Sequence, residues 1–235
     1  MNRSTKIVPV LFLTLAGLAV ARQEKSASPA PDAALAARVV AQQLPTYPLT
    51  TCPISHDALD SGGKPVDLVH EGRLVRLCCK GCVKDFQKDP ATAAATFEAI
   101  DAGVIAAQKA SYPLATCPVS GEKLGGMDEP LDVVYGTRLV RLCCKGCVKG
   151  FQKDPAKVLA QIDAALIEKQ KASYPLATCL VSGEKIERDG FDQLYGVRLT
   201  RLCCEKCAAS FAKDPAKYLA LLDKAEQEKN GPKKN

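Results

Sequence analysis

The sequence predicts an α+β protein built as a tandem array of three small modules, each with a cysteine turn, a β-hairpin and a helix, and joined by longer helices. Three observations support this prediction. A motif of the form YPLxTC recurs, beginning at Tyr47, Tyr112 and Tyr174. A CCxxC cluster follows every copy, and the twelve letters RLVRLCCKGCVK are identical at 73–84 and 138–149. Strand-like and helix-like patterns recur in the same order around each cluster.

Each module carries four cysteines, and the three modules account for all 12 in the chain. The first is the knuckle cysteine of the YPLxTC turn, and the CCxxC cluster then supplies the strand-end, outer and helix cysteines in that order. In module 2 these residues are Cys117, Cys143, Cys144 and Cys147. Their equivalents are Cys52, Cys78, Cys79 and Cys82 in module 1, and Cys179, Cys203, Cys204 and Cys207 in module 3. The predicted modules span residues 46–110, 111–172 and 173–229.

A β-hairpin is predicted directly before every CCxxC cluster. In module 2, two alternating runs at 131–135 and 138–142 flank the pair Gly136-Thr137. Glycine in the first position suits a type II′ turn, so the second strand leads the chain straight into the adjacent cysteines. The corresponding strands are 66–70 with 73–77 and 191–195 with 198–202.

Helical patterns follow every cluster. Cys147 and Phe151 are four residues apart, which places the sulfur and the ring on one face of a short helix. The sequence KDP then supplies Asp154 as an N-cap and Pro155 as the first residue of a longer helix. Residues 22–45 are predicted to be a linker and an N-terminal capping helix, and residues 230–235 a basic tail.

The composition favours a folded binding protein over an enzyme. The 235 residues are 47% hydrophobic and 25% charged, which is ordinary for a globular chain, but they include only two His. No Ser/His/Asp set or carboxylate pair recurs in all copies, and the CxxC spacing lacks the larger frame of a thiol–disulfide enzyme. Because His56 and His70 occur only in module 1, neither is a ligand that all three modules need. We expect no catalytic activity.

The N-terminus has the features of an export signal. Arg3 and Lys6 precede an uncharged, mostly apolar run of 14 residues at 7–20, shorter than the roughly 20 residues of a membrane span. We expect a signal peptide at 1–21, a periplasmic or secreted protein, and no stable membrane insertion after cleavage. Loss of these two cations lowers the formal net charge from +6 to +4. Without an aromatic-rich basic patch, we expect no nucleic-acid partner.

The cysteines predict a metal site in every module. A unit of roughly 60 residues buries little apolar surface and usually needs a metal ion or disulfides for stability. One cysteine in a turn, then cysteines at a strand end and in the first turn of a helix, is the ligand spacing of a treble-clef metal site. We expect one Zn²⁺ or Cu⁺ ion per module. The predicted ligands are Cys52, Cys78, Cys79, Cys82, Cys117, Cys143, Cys144, Cys147, Cys179, Cys203, Cys204 and Cys207.

The motifs also resemble a known family. CPVSG, followed by YGTRLVRLCCKGCVKGFQKDPAK, is similar to the TRASH/YHS group of heavy-metal-associated treble-clef domains. The group's pattern is a knuckle, a hairpin, a CxxxC pair and then F..DP..Y, and it is matched three times within residues 47–227. The resemblance implies a zinc-finger-like fold and a role in metal sensing, trafficking or resistance. It also implies that the strand-end and helix cysteines form the CxxxC pair and that the knuckle cysteine faces them.

One departure from the family pattern bears on the metal. Where the family often has a second knuckle ligand, this chain has a serine, which is a poor ligand for soft metals: Ser55, Ser120 and Ser182. The outer cysteines are then either fourth ligands or exchangeable thiols. Because neighbouring residues of a strand point to opposite faces, four sulfur ligands require the chain to bend. Four thiolates favour Zn²⁺ and three favour Cu(I) or another soft ion, so both metals remain open.

Two other interpretations remain. An exported chain with four cysteines per module can be a disulfide protein, although a bridge between adjacent cysteines is strained. Metals or disulfides can also stabilise a structural or interaction array that has no role in metal storage, buffering or resistance and exchanges no metal with a donor or acceptor protein.

An arginine two residues before each cluster either lowers the pKa of nearby thiolates or lies on a solvated strand face. These residues are Arg76, Arg141 and Arg201.

Overall fold

The computed structural model describes residues 31–126, 128–187 and 190–231, so the predicted signal peptide at 1–21 lies outside the described residues. Within these ranges the fold is α+β, with seven α-helices and three two-stranded antiparallel sheets. The helices are α1 (Pro31–Gln43), α2 (Lys80–Lys88), α3 (Pro90–Gln108), α4 (Gly146–Lys153), α5 (Pro155–Lys171), α6 (Glu205–Lys213) and α7 (Pro215–Asn230). The strands are β1 (Val66–His70), β2 (Arg73–Leu77), β3 (Leu131–Tyr135), β4 (Arg138–Leu142), β5 (Phe191–Tyr195) and β6 (Arg198–Leu202). None of the described helices is long and apolar enough to cross a membrane.

The three hairpins have the strand bounds that their alternating sequences predict. In module 2, β3 and β4 pair so that Leu131 faces Leu142 and Tyr135 faces Arg138. The turn between them begins at Gly136, whose φ of 62° is a left-handed conformation that glycine adopts at little cost. The second strand of every hairpin buries its second, third and fifth residues, which fixes the hairpin on the core of its module.

Each long helix begins at its KDP motif, as predicted. Helix α5 starts at Pro155, and the Asp154 carboxylate accepts a hydrogen bond from the backbone N–H of Lys157 at 3.0 Å. Asp89 and Asp214 cap α3 and α7 in the same manner. These caps satisfy backbone donors that have no partner within the helix, so they define where each long helix starts.

A separate small core surrounds the cysteines of each module. The buried residues of module 2 include Cys117, Cys147, Val140, Leu142 and Phe151. The ring of Phe151 meets that of Tyr135 edge-on, with the centroids 5.6 Å apart. In module 1, His70 replaces this tyrosine and packs edge-on against Phe86 at 5.2 Å. His70 is therefore a packing residue of the first core.

A glutamine at the end of a long helix holds the hairpin of the following module. The Gln108 side chain donates to the carbonyl of Thr137 at 2.8 Å and accepts from the N–H of Leu139 at 3.0 Å. Gln43 makes the same pair of bonds to Gly72 and Leu74, and Gln170 to Val197 and Leu199. We call Gln43, Gln108 and Gln170 the glutamine clamps.

The next long helix contacts the same hairpin through an ion pair. Arg138, the first residue of β4, pairs with Asp163 of α5, and Arg73 pairs with Asp101 of α3. In module 3 Arg198 pairs with both Asp223 and Glu226 of α7. Each hairpin therefore lies between two long helices, and α3 and α5 each bridge two hairpins, so the modules form a continuous array.

The knuckle of module 1 contains a residue with an unfavourable backbone conformation. His56 has a φ of 64° at the position where Gly121 and Gly183 have φ values of 80° and 73°. An L-residue with a side chain in this region costs about 1–2 kcal/mol, although histidine tolerates it better than most. We expect His56→Gly to raise the free energy of unfolding by roughly 1 kcal/mol in urea denaturation.

The reciprocal change provides the control. A Cβ placed on Gly121 would meet no heavy atom within 4 Å, so Gly121→Ala tests the backbone conformation alone. It should lower the free energy of unfolding by about the same amount. Equal stabilities of the His56→Gly variant and the unsubstituted chain would contradict the interpretation of strain at His56.

Candidate metal centre

The knuckle turn places the first sulfur of each site. In module 2 the N–H of Cys117 donates to the carbonyl of Glu122 at 2.7 Å, and the N–H of Gly121 donates back to the carbonyl of Cys117 at 2.8 Å. A single β-bridge between Thr116 and Lys123 closes the turn. The positive φ of Gly121 lets the chain reverse this tightly, so the Cys117 side chain is directed into the module and is only 1% exposed.

The free edge of the second strand orients the same sulfur. In a two-stranded sheet, one edge of β4 has no strand partner, so its outward N–H groups need other acceptors. Leu139 donates to the clamp Gln108 at 3.0 Å, and Arg141 donates to the hydroxyl of Tyr112 at 3.2 Å. The next outward N–H, that of Cys143, interacts with the sulfur of Cys117. The knuckle cysteine is thus the third acceptor along this edge.

Neither the tyrosine nor the glutamine of this edge was among the predicted site residues. Tyr47 and Tyr174 repeat the hydrogen bond of Tyr112, to the N–H groups of Arg76 and Arg201. The recurrence of glutamine four residues before the tyrosine, at Gln43, Gln108 and Gln170, is the sequence signal that could have identified them.

Three sulfurs converge in every module. The knuckle, strand-end and helix cysteines form groups whose ligand atoms all lie within 4.8 Å of one another: Cys52, Cys78 and Cys82; Cys117, Cys143 and Cys147; and Cys179, Cys203 and Cys207. Within these groups the strand-end and helix sulfurs are 3.6–3.7 Å apart. Sulfurs bonded to one ion at about 2.3 Å would lie about 3.8 Å apart in a tetrahedral site and about 4.0 Å in a trigonal one. The observed spacing fits a shared metal ion.

The outer cysteine lies at the solvent edge of each group. Cys144 is exposed, and its sulfur is 3.8 Å from that of Cys143 and 3.9 Å from that of Cys147. It does not belong to the group of three that Cys117, Cys143 and Cys147 form. Cys79 and Cys204 are also exposed and also lie outside their groups. The structure therefore brings nine of the predicted ligands together and places the other three beside them.

All twelve cysteines are free in the structure. The shortest sulfur separations, 3.6 Å, are well above the roughly 2.05 Å of a disulfide bond. Disulfides join sulfurs in pairs, whereas each buried group here contains three sulfurs that converge on one point. This arrangement favours metal binding over the two-bridge module considered from the sequence.

The serine of each knuckle contacts the site from the side. Ser120 Oγ lies 3.3 Å from the sulfur of Cys143 and accepts a hydrogen bond from the N–H of Glu122. Ser55 lies 3.3 Å from Cys78, and Ser182 lies 3.5 Å from Cys203. Site 3 has an added acidic neighbour, since a Glu184 carboxylate oxygen lies 3.8 Å from the Cys203 sulfur. These serines organise the knuckle turn and hydrogen-bond to the strand-end sulfur.

The surroundings of the sulfurs set their protonation. Burial raises the pKa of Cys117, but hydrogen bonds from Ser120 and from the backbone N–H of Cys143 outweigh burial and lower the pKa to about 6. Burial and the adjacent Cys143 raise the pKa of Cys147 to about 12. The equivalent cysteines behave alike, with a pKa of about 6 for Cys52 and Cys179 and about 12 for Cys82 and Cys207. At neutral pH the knuckle cysteine is a thiolate, and the helix cysteine must lose a proton to bind a cation.

These pKa values predict how metal affinity depends on pH. At pH 7–8 binding displaces the proton of Cys147, so apparent affinity should rise about tenfold per pH unit for that proton. Below pH 6 Cys117 is also protonated, and the slope should steepen by one further proton per site. Competition titrations with a chelator of known affinity at a series of pH values will measure this slope. A slope that stays constant through pH 6 would contradict the low pKa of the knuckle cysteine.

The arginine before each cluster does not lie on a solvated strand face but makes an ion pair across the hairpin. The Nε of Arg141 donates to Asp132, its cross-strand partner, at 2.7 Å, and its guanidinium lies 6.0 Å from the ring centroid of Tyr112. Lys109, which directly follows α3, adds a second cation to Asp132 at 3.1 Å. Arg76 and Arg201 make the same pairs with Asp67 and Asp192. The arginine is therefore half-buried and neutralised, and it braces the hairpin that ends at the cysteines.

The arrangement can bind one thiophilic cation per module. Each centre has sulfur donors from three separate elements, a thiolate stabilised by hydrogen bonds, and a fourth thiol at the solvent edge.

No protein-family profile, curated protein or solved structure matches this chain.

Proposed function

We propose that the chain is an exported metal-binding protein that holds one soft ion, Cu(I) by preference, in each of its three modules. Its role is to store, buffer or deliver that ion, and it has no catalytic role. The observation that carries this proposal is the convergence of three cysteine sulfurs in every module, with a fourth thiol left at the surface.

The number of converging sulfurs favours Cu(I) over Zn²⁺. Cu(I) is well served by three thiolates, whereas Zn²⁺ in a structural site takes four protein ligands. Cys144 is not among the three converging sulfurs, and Ser120 supplies only a hard hydroxyl oxygen. A Zn²⁺ ion in this geometry would need a ligand from outside the group.

Two features of the sequence complete the proposal. The N-terminal pattern at 1–21 supports export to a periplasm or the exterior, where a metal-donor or acceptor protein would be the partner. The order of knuckle, hairpin, strand-end cysteine and helix cysteine supports a treble-clef module of the TRASH/YHS type, to which the motifs are similar.

A second candidate is a zinc-stabilised structural array. The observation that favours it is the location of the cysteines inside the hydrophobic cores, where Cys52 and Cys117 are 0% and 1% exposed. A metal at such a position can hold a small module together without any role in metal handling. This candidate predicts that the modules unfold when the metal is removed.

One experiment separates the two candidates. The protein is purified without oxygen, its metal content and free thiols are counted, and it is titrated with a competing chelator while circular dichroism follows the fold. Three Cu(I) ions per chain, exchanged without loss of helix signal, would support the proposed function. Tightly held Zn²⁺ whose removal unfolds the protein would favour the structural array. Absence of bound metal together with six disulfides would refute both.

A further inference from the structure

The outer cysteine of module 2 completes a second three-sulfur face, and in modules 1 and 3 the outer sulfur likewise lies beside the pair, with Cys79 3.7 Å from Cys82 and Cys204 3.8 Å from Cys203. In module 2, Cys143 and Cys147 belong to the buried group and are 3.6 Å apart. The sulfur of Cys144 lies 3.8 Å from the first and 3.9 Å from the second, so these three sulfurs also form a triangle of metal-binding size. Two triangles share one edge, the inner completed by Cys117 and the outer by Cys144.

The two triangles differ in their access to solvent. Cys117 is 1% exposed and Cys147 is 8% exposed, so a bulky donor cannot reach either sulfur directly. Cys144 is exposed, and so are Lys145 and Gly146, which follow it at the start of α4. Cys79 and Cys204 are also exposed, whereas the knuckle cysteines Cys52 and Cys179 are buried. An incoming ion therefore meets the outer triangle first.

We propose that the outer cysteines Cys79, Cys144 and Cys204 are the entry and exit ligands through which Cu(I) passes between these sites and a thiol-bearing donor or acceptor. The inner triangles, completed by the knuckle cysteines, are where the ion resides. This inference rests on the proposed function, since it assigns separate roles to the sulfurs of the same sites.

The transfer is a series of ligand exchanges without any redox change. Cu(I) arrives bound to two thiolates of the donor, and Cys144 forms a Cu–S bond as one donor Cu–S bond breaks. Cys143 displaces the second donor thiolate in the same way, and Cys147 then binds as the third ligand and releases its proton to solvent. Cys117 replaces Cys144, and any proton on the Cys117 sulfur passes to Cys144 as it returns to the surface. In each exchange the sulfur that gains the metal gives any proton it carries to the sulfur that leaves, so copper stays Cu(I) and charge is conserved.

The geometry makes this route efficient because the ion never loses more than one bond at a time. The shared edge of Cys143 and Cys147 holds the ion while the third ligand changes from Cys144 to Cys117. Removing the outer thiol should leave the resting site intact but force the donor to approach the half-buried Cys143. The outer cysteine should therefore control the rate of exchange and not the equilibrium affinity.

The test compares rate and affinity with one probe. The full-length chain with Cys79→Ser, Cys144→Ser and Cys204→Ser is mixed with the coloured Cu(I)–bicinchoninate complex, and loss of colour gives both the transfer rate and the final occupancy. We expect three ions bound with affinity within about threefold of the unsubstituted chain, and transfer slowed by about tenfold or more. The single variant Cys144→Ser should slow one of the three transfers.

Two lysine variants provide the control for the loss of the outer thiols. Lys84→Ser and Lys149→Ser change exposed residues on the same helices without removing sulfur, and they should leave both quantities unchanged. Unchanged transfer rates in the triple variant would overturn the inference. Loss of more than about a hundredfold in affinity would overturn it too, because the outer thiols would then be resident ligands. Failure of the unsubstituted chain to remove any Cu(I) from the probe would refute the proposed function itself.

Discussion

Replacing Cys117 by serine should remove the second metal site and leave the first and third intact. The knuckle sulfur is the thiolate of the metal-free group, with a pKa of about 6, and it accepts hydrogen bonds from the knuckle and from the N–H of Cys143. A hydroxyl at this position stays protonated and binds soft ions poorly. We expect two Cu(I) ions per chain in place of three, with affinity at site 2 reduced by more than about a hundredfold.

The matched control is the loss of a different sulfur from the same module. Cys144→Ser removes an exposed thiol outside the buried group, so that variant should still bind three ions. Each variant replaces one cysteine of module 2 by serine, and only the position of the replaced residue differs. If Cys117→Ser kept three tightly bound ions, the assignment of the knuckle cysteine as a ligand would be wrong.

Replacing the clamp Gln108 by alanine should strongly destabilise the fold without touching a metal site. Its side-chain amide bonds to two backbone groups, the carbonyl of Thr137 and the N–H of Leu139, and both of these residues are at most 2% exposed. Alanine leaves both groups buried without partners, and each orphaned group costs about 1–3 kcal/mol. We expect the free energy of unfolding of the metal-loaded chain to fall by roughly 2–5 kcal/mol.

Local and global measurements distinguish this effect from a general loss of helix stability. Hydrogen exchange at the N–H of Leu139 should accelerate strongly, since this group loses its acceptor. Gln161→Ala changes an exposed glutamine of helix α5, and it should alter stability by no more than about 0.5 kcal/mol. Equal effects of Gln108→Ala and Gln161→Ala would show that the clamp contributes nothing specific.

The elements that could be predicted are those whose signal lies within a few neighbouring residues. The run RLVRL alternates apolar and charged residues before a cysteine pair, and the strands Arg73–Leu77 and Arg138–Leu142 have the predicted bounds. The KDP motif marks the start of every long helix because a capping carboxylate and a proline are both local requirements. Strand alternation also implied that the chain must bend for both adjacent cysteines to face one site, and it does: β4 ends at Leu142, and the sulfurs of Cys143 and Cys144 are 3.8 Å apart.

The interactions that the sequence did not reveal join residues far apart in the chain. Gln108 contacts a hairpin 29 to 31 residues later, and a glutamine near a helix end resembles any solvated residue when viewed locally. The partner of Arg141 is Asp132, nine residues before it, and only the pairing register of β3 with β4 makes them neighbours. Neither alternative considered for this arginine included a cross-strand ion pair, although the register itself follows from the predicted turn.

The glutamine clamps occupy equivalent positions in successive helices. Recombination between the gene's repeats can therefore change the number of modules without disturbing the contact between each helix and the following hairpin. The nine residues after Gln108 and the nine after Gln170 are both KASYPLATC, so unequal crossing-over between them would excise 62 residues without altering the sequence at the junction. The shortened chain would present Gln108 to Val197 and Leu199 in the register that Gln170 has now. The reciprocal product of the same exchange would gain 62 residues and one further cysteine site in the same register, so the number of sites can change in whole steps.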